Sequence, residues 1–144
     1  MVLKITIFVH IIAATIWTGG HLILASRYLP RALRKNDFQI IKGFESQFEP
    51  IGLPALLILV VTGIYMATQY VPDFFEFNIK SHYTRHLFFK FVLLSATFIL
   101  ALHARLVLIP KKALKPLAIH IIVVTLLSVL FVFVGFSIRT GGLL

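Results

Sequence analysis

The sequence predicts an all-α integral membrane protein, a four-helix bundle with both termini outside, and three observations carry that expectation. Hydrophobic residues make up 59% of the 144 and charged residues only 13%, with a mean hydropathy of +0.97. A soluble core of this size cannot hide so much apolar surface. The apolar residues gather into four runs, at about 5–26, 51–70, 87–109 and 117–138, each near the roughly 20 residues that cross a hydrocarbon layer about 30 Å thick. The positive residues divide unevenly between the connections. Arg27, Arg31, Arg34, Lys35 and Lys42 follow the first run, and Arg105, Lys111, Lys112 and Lys115 join the third to the fourth. The opposite face holds Lys4, Lys80, Arg85, Lys90 and Arg139, partly offset by Asp73 and Glu76. Positive residues are retained on the cytoplasmic side, so the two basic connections are expected there.

Residues 1–144 are expected to form one transmembrane domain with short connections. The first run is too long for a secretory signal, carries histidine and lacks a clear small-residue cleavage site, so it reads as a retained helix. The net charge of +9 reports orientation in such a chain, and no nucleic-acid partner is expected. The absence of cysteine excludes disulfides and thiolate metal sites.

Helix 1 contains His10-Ile-Ile-Ala-Ala-Thr-Ile-Trp17-Thr-Gly19-Gly20-His21. At about 100° per residue His10, Trp17, His21 and Tyr28 lie within about 20° of one line, so one face is polar and aromatic. His10 and His21 stand roughly 16 Å apart along the axis and belong to different halves of the bilayer. Helix 2 is expected to open at Pro50, with Pro54 in its first turns, where a missing N–H costs least. Its Gly63 lets a neighbouring helix or a flat ligand approach closely. Residues 71–86 alternate aromatic and charged side chains and should lie in the outer interface. His86 and Lys90 are one turn apart at the start of helix 3.

Counting inward from the cytoplasmic ends places His21, His103 and His120 at similar depth on helices 1, 3 and 4. His10 and His86 form a looser outer layer, with Gly63 and Gly135 making room. Ionisable groups inside a membrane are functional candidates by default, and neutral imidazole ligates haem iron, copper and zinc. The soft ligands that favour Cu(I) are scarce, Met66 being the one internal methionine. The residues therefore lean toward one or two b-type haems ligated by His10, His86, His21, His103 and His120, with Trp17 and Gly63 lining the cofactor and copper as the alternative. Arg85 and Lys90 are expected to act on an anionic group near the outer layer, either haem propionates or an acidic substrate, and are the candidate catalytic pair of a membrane oxidoreductase.

Three spaced motifs resemble the CopD-type copper resistance proteins: His10 with Trp17-Thr-Gly19-Gly20; Val61-Thr62-Gly63-Ile64-Tyr65; and Tyr83-Thr84-Arg85 followed by Lys90. The CopD domain usually occurs within a larger multi-helix protein, and this chain resembles a free-standing version. A second resemblance, to the small haem-containing protoporphyrinogen oxidases of bacterial membranes, rests on His10, Trp17, Leu29-Pro30-Arg31, and Lys90 with His103. It departs in the longer spacing from Lys90 to His103 and in the lack of an acidic motif at the start of helix 4. The resemblances imply a multi-pass protein of the bacterial inner membrane, surrounded by lipid, that handles copper or moves electrons. Its partners would be a quinone or a redox or copper-delivery protein, and self-association into a homodimer is compatible with either.

Reporter fusions should place residues 31–45 and 110–115 in the cytoplasm and the C-terminus outside. A C-terminal fusion that reports cytoplasm would invert the bundle while leaving its internal pairing unchanged.

Overall fold

In the computed structural model, which describes residues 1–70 and 82–140, the chain forms four long helical rods. They are α1 (Val2–Lys35), α2 (Phe38–Tyr70), α3 (residues 82–108) and α4 (Leu114–Arg139). Most of the amphipathic connection expected at 71–86 lies outside the described residues. All four rods are long and apolar enough to cross a membrane.

The first two rods reach well past their apolar runs. The basic connection expected between them is helical apart from the turn at Asn36 and Asp37, and α2 starts at Phe38 rather than at Pro50. The reason is an apolar stripe interleaved with the charges. Leu29, Ala32, Phe38 and Ile41 are buried against Leu108, Leu114, Leu117, Ala118 and Ile121 of the second hairpin. This cluster is the main hydrophobic core, and it sits at the end of the bundle where both hairpins turn, here called the turn end. Pro50 and Pro54 consequently lie inside α2, as membrane helices tolerate. A shallow cavity of about 550 Å³ opens beside them, lined by Ser46, Glu49, Pro50, Leu53 and Pro54.

Both hairpins turn by the same device. The Leu29 N–H donates five residues back to Leu24 and the Ile109 N–H five back to Ala104, giving π turns over Leu24–Tyr28 and Ala104–Leu108. A proline follows each, Pro30 and Pro110. Proline lacks a donor and crowds the carbonyl four residues earlier, and a widened turn accommodates it. A left-handed residue then ends each rod, Asn36 and Lys112, both at φ 49°. The N–H groups that follow close back on Ala32 and Leu108, as C-terminal caps do. Asp37 starts α2 by accepting the Gln39 N–H at 2.9 Å.

α1 lies between α2 and α4, and α3 packs on α4, whereas α2 and α3 barely meet. The Arg105–Glu49 ion pair at 2.6 Å bridges that gap at the turn end. Lipid tails are as apolar as leucine, so helices associate in a bilayer by close packing of small residues. Here the contact between α1 and α2 uses Ala13 and Gly20 against Gly52, Ala55 and Ala67, all buried. The Phe48 ring fills the space between two of them. A β-carbon at Gly52 would lie 2.6 Å from that ring, and one at Gly20 would be closer still.

Gly20→Ala should therefore expel Phe48 and destabilise the bundle by about 1–3 kcal/mol, as overpacking does. Gly63→Ala, whose β-carbon would rest at an ordinary 3.6 Å from His10, should change stability by less than about 1 kcal/mol. Thermal unfolding of both variants in one detergent checks the contrast, and equal behaviour would refute the slot.

Candidate metal centre

The line drawn through His10, Trp17, His21 and Tyr28 is the face that α1 turns toward α2, and all four side chains are partly buried. His10 meets Thr62 at 2.7 Å, His21 meets Phe48 edge-on, and Tyr28 meets Phe44 with ring centroids 4.7 Å apart.

The proton positions at His10 follow from the network. The Thr62 hydroxyl has one hydrogen and gives it to the Ile58 carbonyl, so toward the ring it can only accept. The bond from His10 therefore comes from Nδ1–H, and in the neutral ring Nε2 carries the lone pair. Gly63 makes room for this ring, 3.6 Å from its Cε1. On the other side of the bundle the Lys90 amine rests over Gly135 at the same spacing. The antiparallel register of α1 and α4 is marked by the Thr125 hydroxyl, which shares its hydrogen between the Ile121 carbonyl at 2.7 Å and the His21 carbonyl at 3.2 Å, and by Thr18 donating to the Ser128 carbonyl at 3.5 Å. That register brings His10 level with Gly135 and Phe136. One level near the chain ends thus holds His10, Thr62 with Gly63, Lys90 and Gly135, one contribution from each helix.

At the turn end His103 and His120 are bonded, Nδ1 to Nε2, at 2.8 Å. His120 Nδ1 faces the Pro116 carbonyl at 3.1 Å, and a carbonyl can only accept. His120 is therefore protonated on Nδ1, its Nε2 accepts from His103 Nδ1–H, and the relay leaves the lone pair on His103 Nε2. Both His10 and His103 thus have Nδ1–H engaged and Nε2 free to donate electrons, the arrangement in which histidines ligate metals.

The remaining expected site residues divide differently from the two layers drawn on the sequence. His21 is not level with His103 and His120, because its partner Thr125 stands five residues further along α4 than His120, about 7.5 Å along the axis. Its ring is held edge-on by Trp17, centroids 4.6 Å apart, and both of its nitrogens are buried without a hydrogen-bond partner. A buried polar atom left so is costly and asks for a ligand. His86 is not paired with His10. It is fully buried and meets Ser137 of α4 at 3.0 Å, because α3 packs on α4 and not on α1. Arg85, adjacent in sequence, is exposed while Lys90 is partly buried, so the two cations diverge. Among the described residues no three histidine or acidic side chains form a set able to hold a metal ion.

Nitrogen NMR of ring-labelled protein at neutral pH should show His10, His103 and His120 as the Nδ1–H tautomer. Thr62→Val should release His10 alone from that form. An Nε2–H signal for His10 in the wild type would reverse the assignment.

The sequence matches the family of copper resistance protein D, CopD, over residues 42–138, which spans most of α2, all of α3 and all but the last residue of α4. His10, Trp17 and His21 lie ahead of the matched region. No curated protein and no solved structure matches the chain. The match speaks for a copper-related role, the alternative expected from the sequence, and lends no support to haem b. With four membrane-spanning rods and two thirds of its length matched, the chain is a multi-pass membrane protein that belongs to the CopD family.

Proposed function

We propose that this protein binds copper inside the membrane through neutral imidazoles and carries it between two levels of the bundle, with His10 at one and the His103–His120 pair at the other. The observation that carries this reading is the hydrogen-bond network that leaves Nε2 of both His10 and His103 as a lone-pair donor. The two levels stand about 24 Å apart along α4, most of the hydrocarbon thickness. His21 stands between them with both nitrogens unpartnered, and a passing ion would relieve that desolvation. Met66 is one turn beyond Thr62 on the same face of α2 and partly buried, a soft donor one turn from the level of His10. The copper ion is cargo in this reading, and no redox step is required.

The test is metal analysis and a pyridine haemochrome assay on one purified sample. Copper bound in proportion to protein, without a Soret band, is the expected result. His10→Ala and His103→Ala should each weaken Cu(I) binding by at least about tenfold, in the range known for disturbed metal sites. A red protein with haem and no copper would overturn the proposal in favour of the b-type centre.

A further inference from the structure

The level of His10 also holds a charge that copper binding does not explain. Lys90 is partly buried inside the span, and among the described residues the one ion pair, Arg105–Glu49, lies at the other end of the bundle. Its amine does not snorkel away from the bundle, since it rests over the Gly135 backbone 3.6 Å from the β-carbon position. The hairpin device makes its placement regular. His10 and Lys90 stand the same number of residues ahead of Pro30 and Pro110, and each lies over a glycine of its returning helix at the same distance. His10 and Lys90 thus occupy matching positions on the first helix of each hairpin, a ligand in one and a cation in the other. The register of α1 against α4 sets His10 level with Gly135, over which the Lys90 amine rests, so the two side chains share that level.

A copper ion on His10 Nε2 would share a weakly screened level with that ammonium, and two like charges in a low dielectric repel. A small anion between them removes the conflict. We propose that copper is held at His10 together with a small coordinating anion, such as chloride, and that the Lys90 ammonium binds the anion. The copper–anion pair is neutral, so its entry into the span avoids burying a net charge. Lys90 is then a positioning residue that selects copper in its anion-paired form. This inference rests on the copper reading above and specifies what accompanies the ion.

The experiment measures Cu(I) affinity of the full chain in detergent, kept reduced by ascorbate and titrated against a chromophoric chelator. It compares chloride with perchlorate at equal ionic strength. Chloride also binds Cu(I) in solution, and it does so equally for every variant, so the quantity read is the chloride-to-perchlorate ratio relative to Lys90→Met. Wild type should exceed Lys90→Met in that ratio by at least tenfold, Lys90→Arg should stay close to wild type, and circular dichroism should show all three folded. Equal ratios for wild type and Lys90→Met would overturn the inference, as would Lys90→Arg behaving like Lys90→Met. If wild type binds no copper, or His10→Ala binds it as tightly as wild type, the copper reading itself fails. If binding needs His10 and ignores chloride, only the anion is wrong.

Discussion

The ring of Phe48, lying between Gly20 and Gly52, takes the volume that two side chains would otherwise fill, and the approach of α1 to α2 is set by its thickness. Phe44 stacks on it, centroids 5.5 Å apart, and Tyr28 meets Phe44 at a tilt of 48°. This aromatic column aligns the two helices over several turns. The alignment then brings His10 against Thr62 at the far end and closes His21 between Trp17 and Phe48. The surroundings of His10 and His21 thus depend on two glycines that carry no chemistry.

Two kinds of packing hold the bundle, and they are segregated along its axis. α1 runs for 34 residues, about 50 Å, against a hydrocarbon layer of about 30 Å. Part of each long hairpin must therefore emerge. The main apolar cluster, from Leu24 to Ile121, lies at the turn end, at the level of His120. Toward the chain ends the helices meet through Ala13, Gly20, Gly52 and Ala55, and through hydroxyls that reach a carbonyl of the facing helix, from Thr18 to Ser128 and from Thr125 to His21. Side chains that face outward, such as Leu57 and Ile99, stay exposed to lipid.

The four spans were legible because uninterrupted apolar runs need no knowledge of neighbours. The shared face of His10, Trp17, His21 and Tyr28 was legible too, since helical periodicity is local. Depth alone put His21, His103 and His120 in one layer; the short turn between α3 and α4 brings His103 to His120, while His21 stands further along the axis. What the sequence did not reveal was helix order. His10 and His86 share a depth, but His10 meets Thr62 of α2 whereas His86 meets Ser137 of α4. The extension of α2 back to Phe38 was hidden because its apolar residues sit one per turn among charges. Glu49 and Phe48 went unremarked for the same reason, both belonging to a stretch that reads as loop. The equal spacing from His10 to Pro30 and from Lys90 to Pro110 was present in the sequence, but it gains meaning only beside the paired π turns.

Those π turns also set the phase of everything beyond them. A turn that closes five residues back holds one residue more than its neighbours, and the helix past it is rotated by about 100° relative to an uninterrupted one. Leu29 and Ala32 face the buried cluster in the rotated frame; without the offset, the stripe they form would swing toward the exposed arginines' side. Removing a single residue from Leu24–Tyr28 would therefore act like an indexing error, leaving the membrane-embedded half in place while turning the basic end out of step with α2.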